Sequence, residues 1–159
     1  MPDMLVRLYH LPTGLSDFPD LARDGIEIRR ALPPDKSRIV RWVTEHFNES
    51  WGSECDVTFS NKPVSCFVAV ENKVKIVGFA CYEATCKDYF GPTGVAADFR
   101  GRGIGKALFL RCLYAMREMG YAYAVIGGAS EAIEFYHKTA DAFVIPDSVP
   151  GIYRDMIGS

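Results

Sequence analysis

The segment DFRGRGIGKALF, Asp98 to Phe109, constrains the fold more than any other part of this 159-residue chain. Gly101, Gly103 and Gly105 alternate with other residues just where an apolar helical pattern begins. Small residues let backbone amides approach a ligand closely, and a helix N-terminus adds partial positive charge. The segment therefore predicts a turn from a strand into a helix that can seat an anion. The alternative is a plain helix start with solvated basic residues.

The patterns on either side of this turn define the surrounding elements. Residues 89–97, YFGPTGVAA, are extended but contain two glycines and a proline, so we expect this strand to separate from a neighbour. Residues 103–119 carry a polar arc on an otherwise apolar helix that ends at Gly120. Residues 121–128, YAYAVIGG, predict a strand buried on both faces.

The rest of the chain supplies further strands and helices. Strands are predicted at 4–10, 26–31, 66–70, 74–85, 142–145 and 152–157, and helices at 36–47 and 131–138, the latter capped by Ser130. Residues 48–61 are expected to be irregular. The order β β α β β β α β α β β indicates an α/β fold. We expect one domain over residues 1–159, with residues 1–25 forming an N-terminal strand and connector.

Charge and composition exclude several classes of protein. A net charge of -2 argues against sequence-independent binding to nucleic acid or to anionic membranes. No apolar run reaches about 18 residues and no basic leader precedes an apolar segment, so a cytoplasmic protein is expected. The five cysteines lack C-x-x-C spacing and the three histidines are scattered, which favours reduced core cysteines and predicts no metal site.

Two common nucleotide-binding patterns fail at the glycine turn. The P-loop pattern has Arg100 where its first glycine belongs and Ala107 where its Ser or Thr belongs. The dinucleotide pattern has Lys106 at its third glycine. The pattern that fits is R-x-x-G-x-G at Arg100–Gly105, between a strand and an amphipathic helix.

This hexapeptide, with the strand before it, the helix after it, the strand at 121–127 and the EFY at 134–136, resembles the acyl-coenzyme A signature of the GNAT superfamily of N-acetyltransferases. The resemblance covers about residues 65–145. It implies a GNAT-like fold, in which a central, mostly antiparallel sheet is splayed at the coenzyme site and flanked by helices. It also implies acetyl-CoA as co-substrate.

The resemblance assigns a coenzyme site as well. Amides of residues 102–106 would hold the pyrophosphate, and the splayed strand would pair with the pantetheine arm through Val95 and Ala97. Nearby arginine and lysine side chains would add charge-assisted contacts. The predicted coenzyme-binding residues are Val95, Ala97, Arg100, Gly101, Arg102, Gly103, Ile104, Gly105, Lys106 and Ser130.

The chain departs from the family pattern in two places. No Asn precedes the EFY helix, where Ala129 and Ser130 stand, and Lys138 is followed by TADAF in place of a short K-x-G-F. Both departures indicate that the adenylate end of the coenzyme is contacted differently.

Acetyl transfer to an amine requires a neutral nucleophile and a proton for the departing thiolate. A lysine-like amine with a pKa of about 10.4 is neutral in roughly one molecule in a thousand at pH 7, so a base is needed. By resemblance Tyr136 is the general acid, whereas its spacing alone would make it a packing aromatic. Glu83, at the end of an apolar strand face, is the candidate base, and a solvated glutamate is the alternative. His46 and His137 are read as helix surface residues.

The acceptor pocket is predicted from aromatic and acidic residues in the variable segments. Trp51, Glu54 and Tyr153, with Phe59, would suit a cationic amine, although they fit rim packing equally well. The expected function is transfer of an acetyl group from acetyl-CoA to a primary amine by direct attack in a ternary complex. No cysteine falls in the motif, which disfavours an acyl-enzyme.

Two alternatives belong to other classes of protein. The first is a non-catalytic acyl-CoA-binding sensor or scaffold that keeps the glycine turn. The second is an interaction protein, a possible homodimer, whose first strand at 4–10 pairs with another copy.

Overall fold

The computed structural model of the chain describes residues 1–11 and 20–158. The strands are β1 Met4–Arg7, β2 Ile26–Arg30, β3 Cys66–Glu71, β4 Lys75–Tyr82, β5 Tyr89–Val95, β6 Tyr123–Ile126 and β7 Phe143–Val144. The helices are α1 Lys36–His46, α2 Glu49–Val57, α3 Ile104–Glu118 and α4 Ile133–Ala140. Part of the predicted N-terminal connector, residues 12–19, lies outside the described residues.

The strands form one seven-stranded sheet in the order β2-β3-β4-β5-β6-β1-β7. Every pairing is antiparallel except that of β5 with β6, which is parallel. The predicted α/β fold with a mostly antiparallel central sheet is therefore confirmed. Met4 and Leu5 of β1 pair with β6 on one edge and β7 on the other, so this part of the first strand is already paired within the chain.

Helices cover both faces of the sheet and create two apolar cores. On one face α3 buries Leu108, Phe109 and Leu113 against the sheet, together with Phe90 of β5. Phe109 and Leu113 are four residues apart and lie on one side of the helix, and Leu108 is also buried because α3 is apolar over most of its surface. The second core lies under α1 and α2. The sheet therefore separates the two helical layers.

The glycines that bound α3 behave as the sequence predicts. Gly103 caps the helix with φ 84°, and Gly120 follows its last turn with φ 100°. Both values lie in the left-handed region, which glycine adopts without a Cβ penalty.

Four predicted elements differ in the structure. Residues 8–10 and 151–155 form 3-10 turns where strands were expected. Residues 49–57, expected to be irregular, form α2, because the Asn48 side chain accepts a hydrogen bond from the Trp51 amide at 2.9 Å and caps the helix. The strand predicted to be buried on both faces leaves Tyr123 43% exposed. Among the described residues, no helix has the length and apolar composition needed to cross a membrane.

Candidate active site

The central feature of the site is the separation of β5 from β6. The two strands pair only at Tyr89 with Val125 and at Phe90 with Ile126, after which the Gly127 amide approaches the Phe90 carbonyl at 3.5 Å. Beyond this point β5 continues paired to β4 alone. The splayed strand predicted from its glycines and proline is therefore present, and its free edge lines an opening in the sheet.

The register of β5 determines which backbone groups line this opening. The Ala96 amide donates to the Val77 carbonyl at 2.8 Å, and Val95 lies opposite Gly78. Because successive residues of a strand direct their hydrogen-bonding groups to opposite edges, those of Val95 point away from β4 and into the opening. Thr93 has the same orientation, a point that the sequence analysis missed and that the two-residue period would have revealed.

Ala97 lies beyond the strand. It begins a 3-10 turn at 97–99, and its carbonyl accepts from the Arg100 amide at 3.4 Å. The Val95 carbonyl accepts from Arg100 Nε at 3.2 Å. The strand edge that faces the opening therefore comes from Thr93 and Val95, with Ala97 at its end.

The glycine turn presents unpaired amides at the start of α3. The first α-helical hydrogen bond runs from the Ala107 amide to the Gly103 carbonyl at 3.1 Å. The preceding amides, those of Ile104, Gly105 and Lys106, have no acceptor within the helix. A Cβ at Gly105 would lie 3.7 Å from Val95 Cγ2, so the seat adjoins the free edge of β5. These amides and the helix dipole favour a bound anion.

Basic side chains surround this seat. The Arg102 guanidinium lies 4.7 Å from the centre of the Phe99 ring, and the Lys75 ammonium lies 5.0 Å from it. None of the ion pairs found among residues 1–11 and 20–158 uses Arg100, Arg102 or Lys106. Their charge is therefore free for phosphate groups. Lys75, on β4, was not singled out in the sequence because it is distant from the motif.

Tyr136 of α4 lies beside the point where the strands separate. Its ring packs edge-on against Phe90 at 6.2 Å and Phe109 at 5.0 Å between centroids. Burial raises the pKa of Tyr136 to about 12, so the hydroxyl stays protonated at neutral pH. A 3-10 turn at 130–132 precedes α4, so the α-helix begins at Ile133, two residues later than predicted.

Glu83 does not continue the strand face on which it was predicted. β4 ends at Tyr82, and Glu83 has φ 55°, outside the extended region. One carboxylate oxygen accepts from the Tyr121 hydroxyl at 2.7 Å and the other from the Asp88 amide at 2.5 Å. The predicted strand face is also broken, because a register shift in β3 and β4 turns Val77 towards the α3 core.

Asp88, which was not singled out in the sequence, carries a buried carboxylate oxygen without a hydrogen-bond partner. Burial raises the pKa of Asp88 to about 6, and the charge of Glu83 adds to this shift. The Asp88 carbonyl accepts from the Val125 amide at 2.9 Å, which places Asp88 directly before the two paired residues of β5. The local sequence offers one signal, an acidic residue immediately before the interrupted strand.

The predicted acceptor residues come together near the same point. Glu54 of α2 accepts a hydrogen bond from the Thr85 hydroxyl. A Cβ at Gly127 would lie 3.6 Å from the Tyr153 hydroxyl and 3.2 Å from the Tyr89 ring. Burial raises the pKa of Tyr153, and Thr85 and Glu54 also influence it. Two distant segments of the chain thus contribute to one pocket.

Trp51 lies one turn before Glu54 on α2. It packs against Phe47 at 5.1 Å and Phe79 at 6.1 Å between ring centroids and is half-buried. The Phe47 ring rests directly on Gly94 of β5, where any Cβ would overlap it. Trp51 therefore belongs to an aromatic wall beside the free strand. Phe59 is buried in the second core and lies away from this wall's exposed side.

A further carboxylate adjoins the pocket. Asp3 is only 7% exposed and accepts from the Gly128 amide at 2.9 Å and from the Tyr89 hydroxyl at 3.5 Å. The pKa of the neighbouring Cys86 thiol is raised, mainly by burial and also by the charges of Asp3, Glu83 and Asp88. The acceptor side of the opening is therefore acidic, whereas the glycine turn is basic.

A splayed parallel pair, a helix N-terminus with unpaired amides and a protonated tyrosine define an acyltransferase class of site. The family model for the acetyltransferase (GNAT) domain matches residues 62–139, which contain all three of these features. The chain belongs to the GNAT superfamily.

Solved structures agree with this fold. A glucosamine N-acetyltransferase region of a fungal multi-domain β-N-acetylglucosaminidase is 14% identical with a TM-score of 0.71, over 91% of this chain and 19% of that one. A GCN5-related N-acetyltransferase from Sphaerobacter thermophilus is 23% identical with a TM-score of 0.64, over 91% and 48%. A Brucella melitensis GNAT acetyltransferase in complex with acetyl-CoA is 22% identical with a TM-score of 0.55, over 70% and 82%.

This chain thus spans less than half the length of the first two of these structures. Comparison with curated proteins found no match.

Proposed function

We propose that this chain transfers an acetyl group from acetyl-CoA to a cationic primary amine, by direct attack in a ternary complex. The observation that carries the proposal is the position of Tyr136, whose buried, protonated side chain packs on Phe90 where β5 and β6 separate. An acidic pocket lies at one end of this opening and an anion seat at the other. The two ends suit an amine and a pyrophosphate, respectively.

The residues at the basic end fit the coenzyme. The amides of Ile104 to Lys106 would bind the pyrophosphate, and Arg100 and Arg102 would neutralise its charge. The outward groups of Thr93 and Val95 would pair with the two amides of the pantetheine arm. This arrangement directs the thioester back along β5 towards Phe90 and Tyr136.

The proton transfers follow from the two perturbed groups. Asp88, with a pKa near 6, is ionised at pH 7 and would take a proton from the bound ammonium, directly or through water. The neutral amine attacks the thioester carbonyl, a carbon–nitrogen bond forms and the carbon–sulfur bond breaks, and Tyr136 donates its proton to the departing thiolate. The amide nitrogen then loses its extra proton to solvent, and Tyr136 regains a proton from solvent. Glu83 holds the Asp88 amide and raises the pKa of Asp88, so we propose a positioning role for the predicted base.

The charge of the pocket favours a cationic acceptor. Glu54, Asp3 and Asp88 surround the point of separation, and Trp51 and Tyr153 supply aromatic surface for cation–π contact. A primary amine is largely protonated at pH 7, so these groups would bind the form that predominates in solution.

Direct transfer is supported by the state of the cysteines. Cys55, Cys66, Cys81 and Cys112 are buried, and Cys86 is the cysteine nearest the pocket. Burial and the neighbouring carboxylates raise the pKa of Cys86, which disfavours the thiolate needed for an acyl-enzyme. Incubation with labelled acetyl-CoA alone should leave no stable acetyl group on Cys86.

The proposal is tested by measuring thiol release from acetyl-CoA with a panel of acceptors. The panel contains polyamines, aminoglycosides, amino sugars such as glucosamine, amino acids and peptide N-termini, with neutral alcohols as controls. We expect release with at least one cationic amine and none with the alcohols. Thermal stabilisation by coenzyme A without release on any amine would instead favour the acyl-CoA sensor.

Asp88→Asn should remove a break in the pH profile. Because the base must be ionised, kcat/KM of the wild-type protein should fall below about pH 6, the pKa of Asp88, and level off above it. In the variant we expect kcat at pH 7 to fall about tenfold and the break near pH 6 to vanish.

Asp24→Asn, at an exposed 3-10 turn far along the chain from the site, is the matched control and should keep the break. The raised pKa also means that an ionised Asp88 opposes folding above pH 6, so Asp88→Asn should not lower Tm at pH 7. A break that persists in a folded Asp88→Asn protein would rule out this base.

Glu54→Gln should weaken acceptor binding selectively. The substitution keeps the size of the side chain and a partner for Thr85 but removes one negative charge from the pocket. We expect KM for the cationic acceptor to rise about tenfold, with little change in the Kd of coenzyme A. Glu49→Gln, exposed on the first turn of the same helix, should leave KM unchanged. Equal KM values for the two variants would remove Glu54 from the pocket.

A further inference from the structure

Three cysteines that are distant in sequence converge in the second core. Cys55 comes from α2, Cys66 from β3 and Cys81 from β4, and all three are fully buried. Their sulfur atoms all lie within 4.8 Å of one another. Cys66 and Cys81 are directly opposite in the β3–β4 register, which directs both side chains to the same face, and α2 lays Cys55 over them. Separations of ten or more residues hide this cluster from any sequence motif.

We propose that Cys55, Cys66 and Cys81 form a three-sulfur binding site for a soft metal ion, Cu(I). An ion about 2.3 Å from each of three coplanar sulfurs requires those sulfurs to be about 4.0 Å apart. The cluster reaches this geometry if its sulfurs approach by less than about 1 Å. On binding, Cu(I) replaces thiol protons, which pass to solvent, and no change of oxidation state is required.

The residues around the three cysteines favour Cu(I) over other metal ions. Apolar side chains enclose the cluster, among them Ile39, Val43 and Phe79. Within the described part of the chain no histidine, carboxylate or further cysteine joins the three sulfurs as a fourth ligand. Zn²⁺ in structural sites is almost always four-coordinate, whereas thiolates favour Cu(I), which accepts three ligands. A dry core also disfavours hard cations, which retain water.

The remaining two cysteines provide internal controls. Cys112 of α3 is as fully buried as the three but lies in the first core, on the opposite face of the sheet. Cys86 is half-buried beside the acidic pocket. Neither belongs to the cluster. Substitution of Cys112 therefore shows whether any buried thiol affects Cu(I) binding, and substitution of Cys86 shows whether a more accessible thiol does.

A Cu(I) ion bound by the three cysteines would link α2 to the sheet. Cys55 lies one residue after Glu54 and four after Trp51, so an ion at the cluster would hold the helix that carries two pocket residues. This site is independent of the proposed acetyl transfer, and its test requires no acceptor.

The test is an anaerobic titration of the reduced, metal-free protein with Cu(I) against a chromophoric Cu(I) chelator. We expect the full chain to retain one Cu(I), with Tm raised on loading. Cys66→Ala and Cys55→Ala should each lower Cu(I) affinity more than tenfold, whereas Cys112→Ala and Cys86→Ala should bind as the wild-type protein does. Unchanged affinity in a folded Cys66→Ala protein overturns the proposal.

A second measurement, made on the wild-type protein, tests the site even if the cysteine variants do not fold. X-ray absorption at the copper edge of the loaded wild-type protein should show three sulfur ligands, and a nitrogen ligand or only two sulfurs would refute the site. Zn²⁺ held in preference to Cu(I) against matched chelators would overturn the choice of ion. A reduced protein that takes up no Cu(I), and that on oxidation joins Cys66 to Cys81, would replace the metal site with a redox-active pair.

Discussion

Tyr136→Phe is expected to lower kcat for acetyl transfer on the order of 100-fold, the lower end of the effect of a general acid. The substitution removes the hydroxyl that we propose as the proton donor to the thiolate and retains the ring that packs against Phe90 and Phe109. We therefore expect Tm and the Kd of coenzyme A to stay close to the wild-type values. The measurement is steady-state kinetics with the best acceptor of the panel, combined with coenzyme titration.

The control for this substitution is Tyr123→Phe, which removes a tyrosine hydroxyl from an exposed position on β6. Its kcat should match that of the wild-type protein. Because the pKa of Tyr136 is about 12, the acid should remain protonated throughout the range from pH 6 to 10, and the activity should show no loss assigned to it there. An unaltered kcat in Tyr136→Phe would show that the sulfur obtains its proton elsewhere.

The elements that the sequence predicted correctly are those with strong local signals. The helix after the glycine turn is bounded by Gly103 and Gly120, whose special backbone conformations are encoded by residue type. The splay of β5 was predictable for a similar reason, because its glycines and proline weaken continuous pairing. α2 was missed because its signal is a single capping residue, Asn48, before a segment without a clear apolar stripe.

The proposed base was harder to predict from the sequence than the proposed coenzyme seat. Amides at a helix N-terminus follow from the local chain, so residues 102–106 could be read from the motif. Asp88 owes its pKa of about 6 to burial and to Glu83, neither of which a linear sequence shows. The β-bulge in β4 likewise changed which side chains share a face with Phe79, and a one-residue shift reverses such an assignment.

Prediction from the sequence is also limited because segments distant in the chain converge in the fold. Glu54 and Tyr153 are about a hundred residues apart in the sequence, yet the fold brings them close enough for the charge of Glu54 to raise the pKa of Tyr153. The same reason conceals the Cys55, Cys66 and Cys81 cluster, whose members come from three elements. Residue types alone suggested a cationic acceptor, and the tertiary structure determines which charged groups lie near the proposed acceptor site.

Gly103→Val is expected to weaken coenzyme A binding on the order of 100-fold while the protein remains folded. Gly103 caps α3 with φ 84°, a conformation that a β-branched residue adopts only with strain of about 1–2 kcal/mol. The chain can relieve that strain by moving the turn, which displaces the amides of Ile104 and Gly105 from the pyrophosphate. Charge-assisted hydrogen bonds are worth about 1.5–3 kcal/mol each, and a 100-fold change in Kd is about 2.7 kcal/mol, so the loss of one bond or the weakening of both accounts for the expected change. Isothermal titration with coenzyme A measures it.

The matched control for this substitution lies at the other end of the same helix. Gly120 has φ 100° and open space around it, so Gly120→Val imposes comparable strain far from the anion seat. Both variants should lose a similar amount in Tm, but only Gly103→Val should lose coenzyme affinity. If the two variants bind coenzyme A equally well, the glycine turn serves the fold alone, and the pyrophosphate must be held by the side chains of Arg100, Arg102 and Lys106.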